Sequence, residues 1–189
     1  HLKLMNLAWD QFIGGAATGY DIAMASASAT EKRRQVFDLS QNYFAANLGV
    51  AVKTGSDVTA ANLRGKRIGV LQGNLGADWV INTLKPTVEI SQYQGQPEMV
   101  AALIAGQVDA IMTDTTLLLT ATAGTNGALE VVGQYETKWG VNVITSKGSS
   151  NTPAVDSAVG AMNADGTLAK LSAAYLTPLF GKDPNDIPL

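Results

Sequence analysis

The chain of 189 residues contains no cysteine, and its single histidine is His1. These absences exclude disulfide frameworks, thiolate metal sites, cysteine nucleophiles and catalytic sites built on clustered histidines. Basic residues number 13 against 16 acidic ones, so the net charge of −3 offers no basic surface to nucleic acid or to an anionic membrane. No apolar run in the sequence approaches the ~20 residues of a membrane-spanning helix. We therefore expect a globular protein, without metal, cofactor or nucleic acid, whose partner is a small molecule or another protein.

Strand-like and helix-like patterns alternate along the chain. The segments with strand character are residues 3–7, 20–25, 67–71, 88–93, 108–112 and 129–132. Such alternation predicts an α/β protein with mostly parallel sheets, in which ligands bind beyond the carboxyl ends of the strands. In the second of these segments, Ile22 and Met24 are expected to lie in the core.

Two further strand patterns, residues 45–53 and 140–145, have no helix paired with them. We interpret both as crossovers between two lobes. Lobe one is then predicted to contain residues 1–44 and 140–189, and lobe two residues 45–139. The hinge crossovers are expected near residues 43–47 and 137–140.

Polar side chains follow the second predicted strand. Ser26 and Ser28 lie at its end, and Thr30 then begins a helical turn that carries Arg33 and Arg34. A guanidinium matches a carboxylate with two parallel hydrogen bonds, so this turn is a candidate anion site. The alternative is that the two arginines form a solvated surface pair.

Three other candidates lie elsewhere in the chain. The turn that contains Asn74 and Leu75 joins a strand to a helix and either binds an anion through its backbone N–H groups or only connects the two elements. Asp114 ends a strand, where it either pairs with an ammonium group or caps the helix that starts at Thr115. Trp9 either lines a pocket or fills a core.

In order and spacing, these segments resemble the polar amino-acid family of bacterial extracytoplasmic solute-binding proteins, which deliver ligands to ABC importers. The motifs that carry the resemblance are Thr-x-x-Arg at 30–33, Ser-x-x-Tyr at 40–43, Leu-Arg-Gly-Lys-Arg-Ile-Gly-Val-Leu-Gln-Gly at 63–73, the run from Ala102 to Asp114 and Ala-Asp-Gly-Thr at 164–167. The resemblance implies a two-lobe periplasmic-binding-protein-like (type II) fold, and an exported protein that is periplasmic or extracellular, with lipid anchoring before processing left open. Its implied partners are an amino acid or similar small zwitterion and an ABC transporter permease.

The resemblance also implies roles for individual residues. Arg33 would bind the α-carboxylate of the ligand, and Asp114 would bind its α-ammonium. The other implied ligand-binding residues are Trp9, Ser26, Ser28, Asn74 and Leu75. A zwitterion held by both lobes would favour the closed form that a permease recognises. The family usually has Thr or Ser at positions 74 and 75, so the ligand of this chain stays open.

The resemblance further implies that the first strand and helix of the family are absent, which leaves lobe one truncated. Unpaired strand edges promote association, so a homo-oligomer or strand exchange is expected. Two functional alternatives remain at this point: a truncated interaction module that binds no ligand, and a dehydratase of the same fold with Asp114 as general acid.

Overall fold

The computed structural model describes residues 3–6, 12, 19–59 and 61–188, without the side chains of Ala25 and Ser26. Its strands are β1 (Ala23–Ser28), β2 (Phe37–Ala45), β3 (Leu48–Lys53), β4 (Ile68–Leu71), β5 (Ser91–Tyr93), β6 (Ala110–Asp114), β7 (Leu129–Tyr135) and β8 (Gly140–Ser146). Its α-helices are α1 (Glu31–Val36), α2 (Leu75–Trp79), α3 (Gln96–Ala105), α4 (Thr115–Ala123), α5 (Thr152–Ala164), α6 (Thr167–Tyr175) and α7 (Thr177–Phe180). The chain divides into two compact units, the first made of His1–Ala46 with Lys138–Ala169 and the second of Asn47–Thr137 with Lys170–Leu189.

The second unit is built on a five-stranded sheet in the order β5-β4-β6-β3-β7. Strand β4 pairs in parallel with β5 and β6, whereas β3 is antiparallel to both β6 and β7. The side chains of a strand alternate between the two faces of its sheet. In β6, Ala110 and Met112 accordingly belong to one hydrophobic cluster and Ile111 to another. Helix α2 covers the first cluster and helices α3 and α4 cover the second, as the predicted α/β layering requires.

The first unit contains a three-stranded sheet of described residues, with β8 in the centre and antiparallel to both β1 and β2. Phe12, Ala27, Phe37 and Ile144 form its buried hydrophobic cluster. The prediction that Ile22 and Met24 are buried is wrong, since their exposed fractions are 42% and 61%. Both lie at the start of β1 or just before it, where the described residues provide no covering layer.

The sheets contain more antiparallel pairing than the alternating pattern predicts. The difference comes from β3 and β8, the two strands that the sequence identifies as crossovers. In each sheet the crossover strand runs opposite to the strands beside it, so the five-stranded sheet is mixed and the described pairs of the three-stranded sheet are antiparallel. Strand β2 was not predicted. The predicted strand over residues 3–7 is not formed at residues 3–6, which are irregular and exposed, because alternation alone supplies no pairing partner.

The C-terminal segment belongs to the second unit, although the predicted division places residues 140–189 together in lobe one. The buried side chain of Gln134 in β7 donates hydrogen bonds from Nε2 to the carbonyl oxygens of Pro184 and Ile187, at 3.1 and 3.0 Å. The Gln134 backbone N–H donates to the carbonyl of Pro188, and Ile187 is buried against the second cluster. These contacts hold the tail to β7 and explain the difference.

Candidate functional site

In the first unit, the predicted Arg33 lies in α1, and its side chain contacts the end of β1. Thr30 caps α1, its Oγ1 accepting a hydrogen bond from the Arg33 N–H at 3.2 Å. The Arg33 side chain turns back and donates from Nη1 to the carbonyl oxygen of Ser28 at 2.6 Å. The guanidinium is half-buried at the carboxyl end of β1, where a fork of charged donors suits a carboxylate.

The neighbouring arginine has a different environment. Arg34 is exposed. Its backbone N–H donates a hydrogen bond to the Thr30 carbonyl, and its own carbonyl accepts one from Lys147 Nζ. Arg33 is therefore tied to the strand end and Arg34 faces solvent.

A buried asparagine that the sequence analysis missed supports this turn. Asn142, in β8, is only 1% exposed and accepts a hydrogen bond at Oδ1 from the backbone N–H of Ala29, at 3.0 Å. Its Nδ2 donates to the carbonyl of Ser40 and to Oδ1 of Asn42. The local sequence contained one hint, which is a lone amide between the apolar residues Val141 and Val143.

In the second unit, Asn74 follows β4 and caps α2, its Oδ1 accepting a hydrogen bond from the N–H of Gly76. Its Nδ2 donates to Oγ1 of Thr113 at 3.4 Å. Leu75 is exposed, whereas Gly76 is buried so closely that an added Cβ would lie 2.8 Å from Leu48. This turn is a helix cap packed against the sheet, with an exposed apolar side chain beside it.

Asp114 ends β6 and caps α4. Its Oδ1 accepts hydrogen bonds from the backbone N–H and the hydroxyl of Thr116. Its Oδ2 accepts no hydrogen bond from the described residues, and the side chain is half-buried. The capping role and a role toward a ligand ammonium are compatible, since they use different oxygens.

The structure groups the predicted residues within each unit. Ser28 and Arg33 meet in the first unit, and Asn74 lies beside the Thr113–Asp114 pair at the carboxyl ends of the parallel strands β4 and β6 in the second. Trp9 lies outside the described residues. Ser26 lies in β1, but its side chain is also outside them.

A cavity of about 260 Å³ lies away from these residues, at the start of β6 rather than at its end. Lys53, Asp57, Lys66 and Asp109 supply its charged lining, and the Arg67 guanidinium holds the pKa of Asp109 below its ordinary value. Across residues 3–6, 12, 19–59 and 61–188, no group of three or more acidic or histidine side chains is placed to hold a metal ion.

Comparisons with known proteins identify the family. Residues 1–178 match the sequence model of the bacterial extracellular solute-binding proteins, family 3. The chain belongs to this family. Membership confirms the predicted family of solute-binding proteins.

Curated relatives extend this result. The chain is 28% identical over 180 residues to the L-cystine-binding protein TcyJ of Escherichia coli (strain K12), a match that covers 93% of the chain and 66% of the relative. It is 33% identical over 172 residues to the histidine-binding periplasmic protein of Salmonella typhimurium (strain LT2), covering 82% of the chain and 64% of the relative. The matched part is therefore just under two thirds of each relative's length.

Solved structures confirm the predicted two-lobe, type II fold class. An ancestral arginine-binding protein bound to arginine is 26% identical, with a TM-score of 0.63 over 92% of this chain and 79% of that chain. The second substrate-binding domain of a putative amino acid ABC transporter from Streptococcus pneumoniae has a TM-score of 0.69 over 88% and 76%, and at 24% identity it supports the fold alone. Within the described part of the chain, no helix is long and apolar enough to cross a membrane.

Proposed function

We propose that this chain binds a small zwitterionic amino acid outside the cytoplasmic membrane and delivers it to an ABC transporter permease. The observation that carries the proposal is the Arg33 guanidinium, which the Ser28 carbonyl holds at the end of β1 in a member of a solute-binding family. Arg33 binds the α-carboxylate of the ligand. A planar guanidinium makes two parallel hydrogen bonds to a carboxylate and discriminates against ligands that lack one.

Asp114 binds the α-ammonium through Oδ2, while Oδ1 continues to cap α4. The backbone N–H groups of Asn74 and Leu75 add hydrogen-bond donors. Ser26, Ser28 and Trp9 complete the ligand contacts as the family resemblance implies. A ligand with both charges then gains more from binding than one with either charge alone, because each pole has its own counter-charge.

The relatives support a polar amino acid as the ligand. The names of three curated relatives specify L-cystine, histidine and L-arginine, at 28%, 33% and 27% identity. Each of these molecules carries an α-carboxylate and an α-ammonium, which are the groups that Arg33 and Asp114 recognise in the proposal. Selectivity among ligand side chains is a separate property, which titration against several amino acids measures.

Isothermal titration calorimetry of the purified chain against L-cystine, L-histidine, L-arginine and L-glutamine tests the proposal. We expect saturable binding of at least one of them and at least tenfold weaker binding of the matching carboxamide. Light scattering on the same samples gives the oligomeric state. A folded, defined oligomer that binds none of a full panel of amino acids would overturn the proposal and favour an interaction module.

A further inference from the structure

We infer that Asn142 is a positioning residue that sets the geometry of the Arg33 guanidinium without touching the ligand. This inference rests on the proposed function for its consequence on binding, but its structural basis lies wholly within the first unit. The decisive feature is the hydrogen bond from the Ala29 N–H to Oδ1 of Asn142, because Ala29 stands between Ser28 and Thr30. Those two neighbours are the residues that hold Arg33.

The side-chain amide of Asn142 provides hydrogen-bond partners where the backbone pairing of the sheet is irregular. The register between β1 and β8 shifts between Met24 and Ser28, and the register between β2 and β8 shifts on both sides of Asn42. Irregular strand pairs leave backbone groups without ladder partners, and buried backbone groups need partners. Asn142 supplies a hydrogen-bond partner on each side. Its Oδ1 accepts from the Ala29 N–H, and its Nδ2 donates to the Ser40 carbonyl at 2.7 Å.

The orientation of this amide is unambiguous on chemical grounds. The Ala29 N–H requires an acceptor and the Ser40 carbonyl requires a donor, so the reversed amide would oppose like groups on both sides. The second hydrogen of Nδ2 goes to Oδ1 of Asn42 at 2.9 Å. Both amide hydrogens of Asn142 are therefore used.

The space around Asn142 is also fitted to the network. A Cβ added to Gly140 would lie 2.0 Å from the amide of Asn42, so glycine at this position gives the Asn42 side chain the room it needs to reach Asn142. Ser40 completes the arrangement, its Oγ accepting from the Val143 N–H at 3.0 Å. Ser40 and Asn142 are buried, so displacement of either side chain would leave polar groups unpaired away from water.

The consequence for the arginine follows from the chain path. Asn142 fixes Ala29, and the carbonyl of Ser28 and the hydroxyl of Thr30 on either side then fix the start of α1 and the guanidinium. Removing the Asn142 amide frees this turn and lets the guanidinium leave the position that suits a carboxylate. The loss should affect ligands that carry a carboxylate and spare those that do not.

The test compares Asn142→Ala with Asn42→Ala in the full chain. Asn42→Ala removes the bond on the far side of the amide but leaves the Ala29 contact intact, so it is the matched control for disruption of the sheet. The probes are L-histidine and L-histidinamide, titrated by calorimetry. We expect Asn142→Ala to weaken L-histidine binding roughly tenfold with little effect on L-histidinamide, and Asn42→Ala to leave the ratio of the two affinities unchanged.

A second readout needs no ligand. The nuclear magnetic resonance signal of the Arg33 Nε–H and the exchange rate of the Ala29 amide report the order of the turn directly. In Asn142→Ala we expect the Arg33 signal and the Ala29 exchange rate to shift toward the values of a mobile segment. In Asn42→Ala we expect both to keep their wild-type values. If Asn142→Ala does not fold, Asn142→Thr takes its place, since threonine suits a strand and its shorter side chain does not reach Ala29.

The outcomes separate this inference from the proposed function. Equal loss of both probes, or equal effects of the two variants on the Arg33 signal, would overturn the positioning role and leave Asn142 a structural residue. A wild-type chain that binds no amino acid would overturn the proposed function, while a selective change of the Arg33 signal in Asn142→Ala would still support the positioning role.

Discussion

The two compact units are stabilised by different means. In the second unit, two hydrophobic clusters of eleven buried residues each lie on the two faces of a five-stranded sheet. In the described part of the first unit, the corresponding cluster has four residues, and the central strand β8 carries the buried polar residues Asn142 and Thr145. Among the described buried residues, the first unit has three polar and seven hydrophobic side chains and the second unit has five and 22, so hydrogen-bonding side chains form a larger share of the interior in the first unit.

This difference bears on function, because hydrogen bonds are directional and apolar packing is not. The Ser28–Thr30 turn, which is held by carbonyl, hydroxyl and amide contacts, fixes one guanidinium. In the second unit, Asn74 and Asp114 are helix caps on a well-packed sheet. We expect substitutions in the first unit to act mainly on the carboxylate of the ligand, and those in the second to act mainly on its ammonium.

The largest effect is predicted for Arg33→Ala. Removing one partner of a desolvated charge pair typically costs ~2 to 5 kcal/mol, which is roughly a 30-fold to several-thousandfold loss of affinity. Calorimetry with the amino acid that the wild-type chain binds gives the measurement. Arg34→Ala is the matched control and should change affinity little, since the Arg34 side chain is exposed. If Arg34 were the sensitive residue instead, the assignment of the carboxylate site would be incorrect.

Asp114→Asn is expected to have the next largest effect. An asparagine side chain still offers Oδ1 to the Thr116 N–H, so the helix cap survives and the substitution isolates the charge. We expect roughly tenfold weaker binding of the amino acid, and little change for the matching ligand without its amino group. Asp186→Asn, at an exposed position of the same unit, controls for the loss of one negative charge. Equal losses for both ligands would leave Asp114 as a cap alone.

The sequence predicted the second unit well because its signals are local. The helix predicted to start at Thr115 matches the start of α4, which is marked by the capping Asp114. Helix α3 begins with Pro97 in its first turn and ends at Gly106, whose φ of 73° suits glycine. Capping residues and glycines act within a few positions of the helix end where they lie, so they can be recognised in a short segment of sequence.

The first unit was harder to predict because its determinants are distant in sequence. Strand β2 mixes Ser40 and Asn42 with apolar residues and has no clear period, yet it forms because β8, about 100 residues later, pairs with it. The position of β8 between β1 and β2 depends on that pairing. For the candidate site, Arg33 and Asp114 are predictions from motifs, whereas no local pattern beyond a lone amide points to Asn142, because its three partners lie in other strands and turns.

Gly140→Ala tests whether the first unit depends on its hydrogen-bond network. The new Cβ would displace the Asn42 side chain from Asn142 and break the hydrogen bond between their amides, which is typically worth about 0.5 to 1.5 kcal/mol. Urea unfolding followed by circular dichroism measures the change in the free energy of unfolding. Gly65→Ala in the second unit is the control, because an added Cβ there meets nothing within 4 Å and no positive φ is needed. Similar losses for the two variants would contradict the comparison.

The smallest effects on stability are expected from substituting one acidic residue in each unit, Asp109 in the second and Asp38 in the first. The Arg67 guanidinium, 2.6 Å from Asp109, lowers the pKa of that carboxyl, and a hydrogen bond from Lys147 lowers the pKa of Asp38. A lowered folded-state pKa stabilises the protein above the unfolded pKa, and that contribution is lost as the pH falls below about 4. Asp109→Asn should therefore reduce the free energy of unfolding at pH 7 by up to about 1 kcal/mol, with the difference from wild type shrinking toward pH 2. Urea titrations of Asp109→Asn and Asp38→Asn at pH 7 and pH 2 provide the measurement, and a difference that grows toward pH 2 would contradict the sign.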